Sequence, residues 1–125
     1  DVVRSRGLGD VYKRQFDNVL NLPLAPNSDG ALMRKVYTER VFPKVRSFNP
    51  DLILLSAGFD AHVDDPLAEL NWEVDDFVWI TSEVCNLARD CCSSRVVSIL
   101  EGGYNLDALA ACSRAHIENL IEAKS

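Results

Sequence analysis

Two short apolar runs, residues 51–57 (Asp-Leu-Ile-Leu-Leu-Ser-Ala) and 95–100 (Arg-Val-Val-Ser-Ile-Leu), constrain most strongly what this chain can fold into. Each has the length of a strand, and neither alternates apolar with polar residues. That is the pattern of strands buried on both faces of a parallel sheet. Between them, residues 74–91 follow a helical period that gathers Phe77, Ile80, Val84, Leu87 and Ala88 on one side. Strand, helix and strand in that order imply a right-handed crossover and parallel pairing.

The same rhythm extends in both directions. Residues 18–24 (Asn-Val-Leu-Asn-Leu-Pro-Leu) read as a short strand, with Pro23 marking an edge position or the strand's end. Ser28 or Asp29 can cap a helix running to about residue 48, with Leu32, Val36, Val41 and Val45 on its apolar face and Pro43 expected to kink or split it. Asn49-Pro50 closes that unit. A last helix over 106–123, capped by Asn105 or Asp107, presents Leu109, Cys112, Ile117, Leu120 and Ile121. The expected architecture is α/β, ordered β-α-β-α-β-α, with a parallel sheet flanked by helices. Three strands make a small sheet, and the 51–57 run is too apolar for an exposed edge, so the chain is expected to be a piece of a larger domain.

Composition excludes more than it assigns. A chain of 125 residues with 47% apolar and 26% charged residues suits one soluble domain. No apolar run approaches the roughly 20 residues that span a bilayer. The amino end lacks a secretory layout, which makes a reducing cytoplasmic setting the expectation. Cys85, Cys91, Cys92 and Cys112 have no paired Cys-x-x-Cys spacing, and free, buried thiols are expected. A net charge of −6 argues against nucleic-acid binding and suits a cationic partner. Residues 1–15 carry four basic and two acidic groups, a balance of +2, against −8 for the remainder. Gly7-Leu8-Gly9 there has no preceding strand and no third glycine, so it is not a dinucleotide fingerprint. This stretch resembles a translated sequencing adaptor, and native sequence is expected to begin near Phe16, giving a foreign leader over 1–15 and one domain segment over 16–125.

The candidate chemistry lies where the two runs end, the sheet edge at which α/β proteins hold ligands and metals. The first run leads into Gly58-Phe59-Asp60-Ala61-His62-Val63-Asp64-Asp65-Pro66-Leu67, the second into Glu101-Gly102-Gly103-Tyr104-Asn105. Asp60 is placed to ligate a metal, although an acid after a strand also serves to cap a helix or faces water. Gly102 and Gly103 allow backbone to approach a ligand, or only make a turn. Tyr104 could donate its hydroxyl proton to a developing oxyanion, or only pack its ring. Asp64 and Asp65, adjacent on a loop, are expected to be solvated. His62 is expected to face water, and His116 to be packed or surface-exposed rather than catalytic. No Gly-x-Ser-x-Gly elbow and no cysteine with a nearby histidine supports a nucleophile-and-base enzyme.

Residues 51–67 with 95–105 resemble the carboxyl-terminal third of the zinc-dependent histone deacetylase and acetylpolyamine amidohydrolase family, most closely its class II-like bacterial branch. The resemblance extends over 16–123 and implies part of the arginase-deacetylase fold. It implies zinc as the cofactor, Asp60 as a zinc ligand and Tyr104 as the group that polarises the acetyl carbonyl. It also implies Leu67 as a wall of the acyl-lysine tunnel, with Gly102 and Gly103 bordering that channel. The expected activity is removal of acetyl groups from acetyl-lysine or acetylpolyamine substrates, and the implied partners include neither nucleic acid nor membrane. The family's tandem histidines and its upstream Asp-x-His segment are not found here, and His62 does not replace them. The alternative is a non-catalytic α/β module or degenerate relative, and a flavodoxin-like phosphate binder is disfavoured by the lack of a phosphate loop.

Overall fold

The computed structural model describes residues 19–123. The leader expected over 1–15 lies outside them. The first helical unit starts as α1 (Gly30–Val36), widens into a π-helical turn (Tyr37–Val41) and resumes as α2 (Phe42–Phe48). Pro43, in the first turn of α2, explains the break: it has no N–H, and its ring would crowd the carbonyl four residues back. The wide turn relieves this, with the Phe42 N–H donating to the Tyr37 carbonyl five residues back. Asp29 caps α1 by accepting from the Leu32 N–H at 3.0 Å, and Asn49 ends α2 in a left-handed conformation.

Strand β1 (Ile53–Gly58) and strand β2 (Val96–Gly102) pair in parallel, with helix α3 (Val74–Cys92) crossing between them and α4 (Leu106–Glu122) following. A capping box opens α3: the Asp76 carboxylate accepts from the Glu73 N–H at 2.9 Å while Glu73 returns the bond. Asp76 also pairs with Arg34 at 2.8 Å, tying α1 to α3. A Cβ on Gly30 would collide with that carboxylate, so glycine is required there.

Two expectations are corrected. No third strand forms: among the described residues the sheet has two strands, and 19–24 join no ladder. Pro23 removes a donor, and the chain after it pairs instead with the 69–71 segment, through Asn27 N–H to Glu69 carbonyl (2.7 Å) and Asn71 N–H to Ser28 carbonyl (3.0 Å). Nor is β1 buried on both faces. Ile53 and Leu55 pack against Val84, Leu87 and Phe42, but Leu54 is 65% exposed, and Val97 and Ile99 share its open face. Within the described residues α3 and α4 both lie on one side of the sheet, the side that carries Leu55 and its register partner Ser98.

A second cluster of Phe59, Ala61, Phe77 and Cys112, backed by Trp72 and Leu109, sits directly under the carboxyl ends of the strands. There α4 also departs from expectation. Its buried positions are Ala108, Cys112 and His116, while Ile117 and Ile121 are exposed. The helix is rotated because His116 is held inside by two hydrogen bonds, to the Thr81 hydroxyl oxygen (2.7 Å) and to Ser98 (2.8 Å). The Thr81 hydroxyl donates to the Phe77 carbonyl, so it accepts from Nδ1–H of His116, and Nε2 accepts from Ser98. Burial pushes the His116 pKa below its ordinary 6.5, which keeps the ring neutral. Cys85, Cys92 and Cys112 are buried and Cys91 half-buried, all as free thiols; burial raises the Cys112 pKa to about 11. Among the described residues no helix is long and apolar enough to cross a membrane.

Candidate active site

The register of the sheet slips between Ala57 and Gly58, so that Gly58 stands beside Gly102 rather than its expected neighbour. A bulge of this kind re-aims the residues that follow. Phe59 donates its N–H to the Gly102 carbonyl at 2.8 Å and buries its ring edge-on to Phe77 and His116. With Phe59 anchored inward, Asp60 turns to the rim. Its carboxylate lies over two glycines: a Cβ on Gly58 would come within 2.9 Å of it, and one on Gly102 within 3.4 Å. No described residue donates a hydrogen bond or an ion pair to Asp60.

Asp60, Leu67 and Tyr104 line one groove of about 1170 Å³, together with Phe59, Thr81 and His116. The structure thus brings the three side chains singled out in the sequence to one cavity. Tyr104 is 57% exposed and its hydroxyl has no partner among the described residues. Gly102 and Gly103 stand behind the rim. Gly103 adopts a φ of +140°, which favours glycine, and a Cβ there would meet Leu109 at 2.9 Å. Of the two caps expected for the last helix, Asn105 or Asp107, it is Asn105 that serves, its side chain accepting from the Ala108 N–H at 2.9 Å.

Two loop residues differ from expectation. His62 is buried, its Nδ1 accepting from the Asp64 N–H at 3.2 Å, and it does not line the groove. A parallel bridge to Trp72 folds it under the loop. Asp65 is not solvated: it is 8% exposed and its carboxylate accepts three backbone N–H groups, from Leu67 (3.0 Å), Tyr104 (2.7 Å) and Asn105 (3.1 Å). Sequence reading missed Asp65 because two of these partners are 39 and 40 residues away. The only local hint was the following Pro66, which has no N–H to offer and favours extended backbone at 65.

Among the described residues no group of three or more histidine, cysteine or acidic side chains is placed to hold a metal ion. Asp60 fits as one oxygen ligand, being unpaired, at the rim, and lying against backbone that carries no side chain.

Comparison with known proteins points to one family. A family model described as "Histone deacetylase domain" matches residues 5–120, a range that begins inside the stretch read as a leader. The chain is 45% identical over 105 residues to histone deacetylase 14, chloroplastic, of Arabidopsis thaliana, covering 83% of this chain and 25% of that protein. It is 42% identical to type-2 histone deacetylase 1 of Dictyostelium discoideum, over 84% of this chain and 7% of that protein. A histone deacetylase-like amidohydrolase of Pseudomonas aeruginosa is 34% identical over 94% of this chain and 30% of its own length. Among solved structures, the HDA15 HD domain superposes with a TM-score of 0.74 at 30% identity, covering 82% of this chain and 28% of that one. The chain therefore spans less than a third of these relatives. The matched domain, these identities and the shared α/β architecture establish that the chain belongs to the histone deacetylase family.

Proposed function

We propose that this chain carries one metal ligand and the carbonyl-polarising group of a zinc-dependent amidohydrolase that removes acetyl groups from acetyl-lysine or acetylpolyamine substrates. The observation that carries the reading is the unpaired Asp60 carboxylate, set over Gly58 and Gly102 at the end of β1 and facing the groove that Tyr104 and Leu67 also line. An acid left without hydrogen bonds at such a place is available to a cation. Catalytic zinc takes about three protein ligands and a water, so Asp60 is one ligand of a set completed by residues beyond those described. When bound, zinc supplies a Lewis acid for the amide carbonyl and lowers the pKa of a bound water.

The rest of the reading concerns this chain's own side chains. Tyr104, fixed at its backbone and free at its hydroxyl, is assigned to donate a hydrogen bond to the oxygen of the tetrahedral intermediate. Leu67, 62% exposed on the same groove, is assigned to the wall along the methylene stem of a lysine or polyamine. Gly102 and Gly103 are assigned to border that channel, where their lack of a Cβ lets backbone approach. The net charge of −6 suits a cationic carrier amine. Four free thiols suit a reducing, cytoplasmic setting.

The test uses the full-length protein that carries these residues. Tyr104→Phe should lower turnover of an acetyl-lysine peptide on the order of 10²–10³-fold, with KM nearly unchanged. Full turnover in that variant would remove the role assigned to Tyr104 and favour a non-catalytic α/β module instead.

A further inference from the structure

We propose that Asp65 is a positioning residue for this reaction: its carboxylate locks the Gly102–Asn105 turn to the loop after Asp60 and so fixes where the Tyr104 ring stands. The inference rests on the catalytic reading of Tyr104. One oxygen of Asp65 accepts from both Tyr104 N–H (2.7 Å) and Asn105 N–H (3.1 Å), and the other accepts from Leu67 N–H (3.0 Å). The side chain thereby holds the proposed proton donor and the proposed tunnel wall at once. Burying a carboxylate costs heavily unless donors surround it, and three backbone N–H groups on an ionised acid form strong bonds.

The surrounding bonds make the tether a unit. Asp65 donates its own N–H to the His62 carbonyl at 2.9 Å, and the Asn105 side-chain amide donates to the Asp64 carbonyl at 3.2 Å. Asn105 is also the cap of α4, so the loop is pinned to the start of a helix. What needs pinning is clear from the neighbouring backbone. Gly102 and Gly103 precede Tyr104, and glycines leave a turn the widest choice of conformations. The Tyr104 ring is largely exposed and its hydroxyl has no partner among the described residues, so its position depends on its backbone. Displacing a catalytic group by about 1 Å can cost around 100-fold in rate. Asp65→Asn preserves size but offers only one accepting atom, so either Leu67 or the Tyr104–Asn105 pair loses its partner.

A double-mutant cycle in the zinc-loaded full-length protein tests this. Asp65→Asn should lower kcat for an acetyl-lysine peptide by about 10- to 100-fold with KM nearly unchanged. In a Tyr104→Phe background the same substitution should cost less than about threefold, because the donor it positions is already gone. Equal losses in both backgrounds would overturn the proposal, since a general structural role would be additive. Amide hydrogen exchange gives a readout independent of activity. Tyr104 and Asn105 amides should exchange slowly in the unmodified protein and at least about tenfold faster in Asp65→Asn, with α3 amides unchanged. Unprotected amides at 104 and 105 in the unmodified protein would sink the tether without any variant having to fold. Should Tyr104→Phe alone keep full turnover, the catalytic reading falls, while slow exchange lost in Asp65→Asn would still uphold the tether.

Discussion

Asp60 and Asp65 share one loop and one charge, yet the fold treats them in opposite ways. Asp65 is buried and saturated by three N–H groups, whereas Asp60 stands at the rim with no donor from any described residue. The same division separates the layer beneath the groove from its surface. Below, Phe59, Phe77, Thr81, Ser98 and His116 interlock through ring contacts and hydrogen bonds. Above, the Tyr104 hydroxyl and the Asp60 carboxylate are unengaged. Polar groups that are fully paired hold a framework, and those left unpaired at its edge are what remains for chemistry.

The comparison can be broken most forcefully at Phe59. Truncating a buried aromatic costs about 3–5 kcal/mol, so Phe59→Ala should unfold the chain at much lower urea, while Leu54→Ala on the open sheet face should change stability by less than about 1 kcal/mol. Similar losses for the two would deny the contrast between the covered and open sides. Acidification makes a smaller, graded test. The native pKa of His116 is lowered, so below about pH 6.5 the unfolded chain takes up the proton first. Stability from the neutral ring is complete above that value and declines as pH falls through it toward the native pKa. Melting temperatures between pH 7 and pH 5 should show this slope, and His116→Gln should flatten it. A thiol assay sharpens the picture further. Cys112, its pKa raised to about 11 by burial, should stay unmodified by iodoacetamide in the native protein, and prompt labelling would contradict its place in the core.

Much of this framework was legible in the sequence. The apolar runs ending near Ala57 and Leu100 became β1 and β2, and the period around Phe77, Val84 and Leu87 became α3. Pro43 did split the first helix, and Asn105 did cap the last. What failed was whatever depended on distant partners. An apolar run indicates strand, but which faces are covered depends on elements elsewhere, and Leu54, Val97 and Ile99 lie open. Residues 19–24 have strand-like composition, but the backbone that follows them pairs with the 69–71 segment instead. Polarity marked Asp65 and His116 as exposed or ambiguous, because nothing in local spacing announces donors and acceptors 18 to 40 residues away. The placement of Asp60 and Tyr104 on one groove was accessible to sequence reasoning because their position, just past a strand end, is itself a local signal.

Zinc content of three purified full-length proteins is the most direct measurement of the division between the two acids. Elemental analysis should find stoichiometric zinc in the unmodified protein and in Asp65→Asn, whose lesion lies in the placement of Tyr104. Asp60→Asn, which keeps the shape but removes the charge of the proposed ligand, should lose most of its zinc while still folding. Stoichiometric zinc in Asp60→Asn, or loss of zinc from Asp65→Asn instead, would contradict the account.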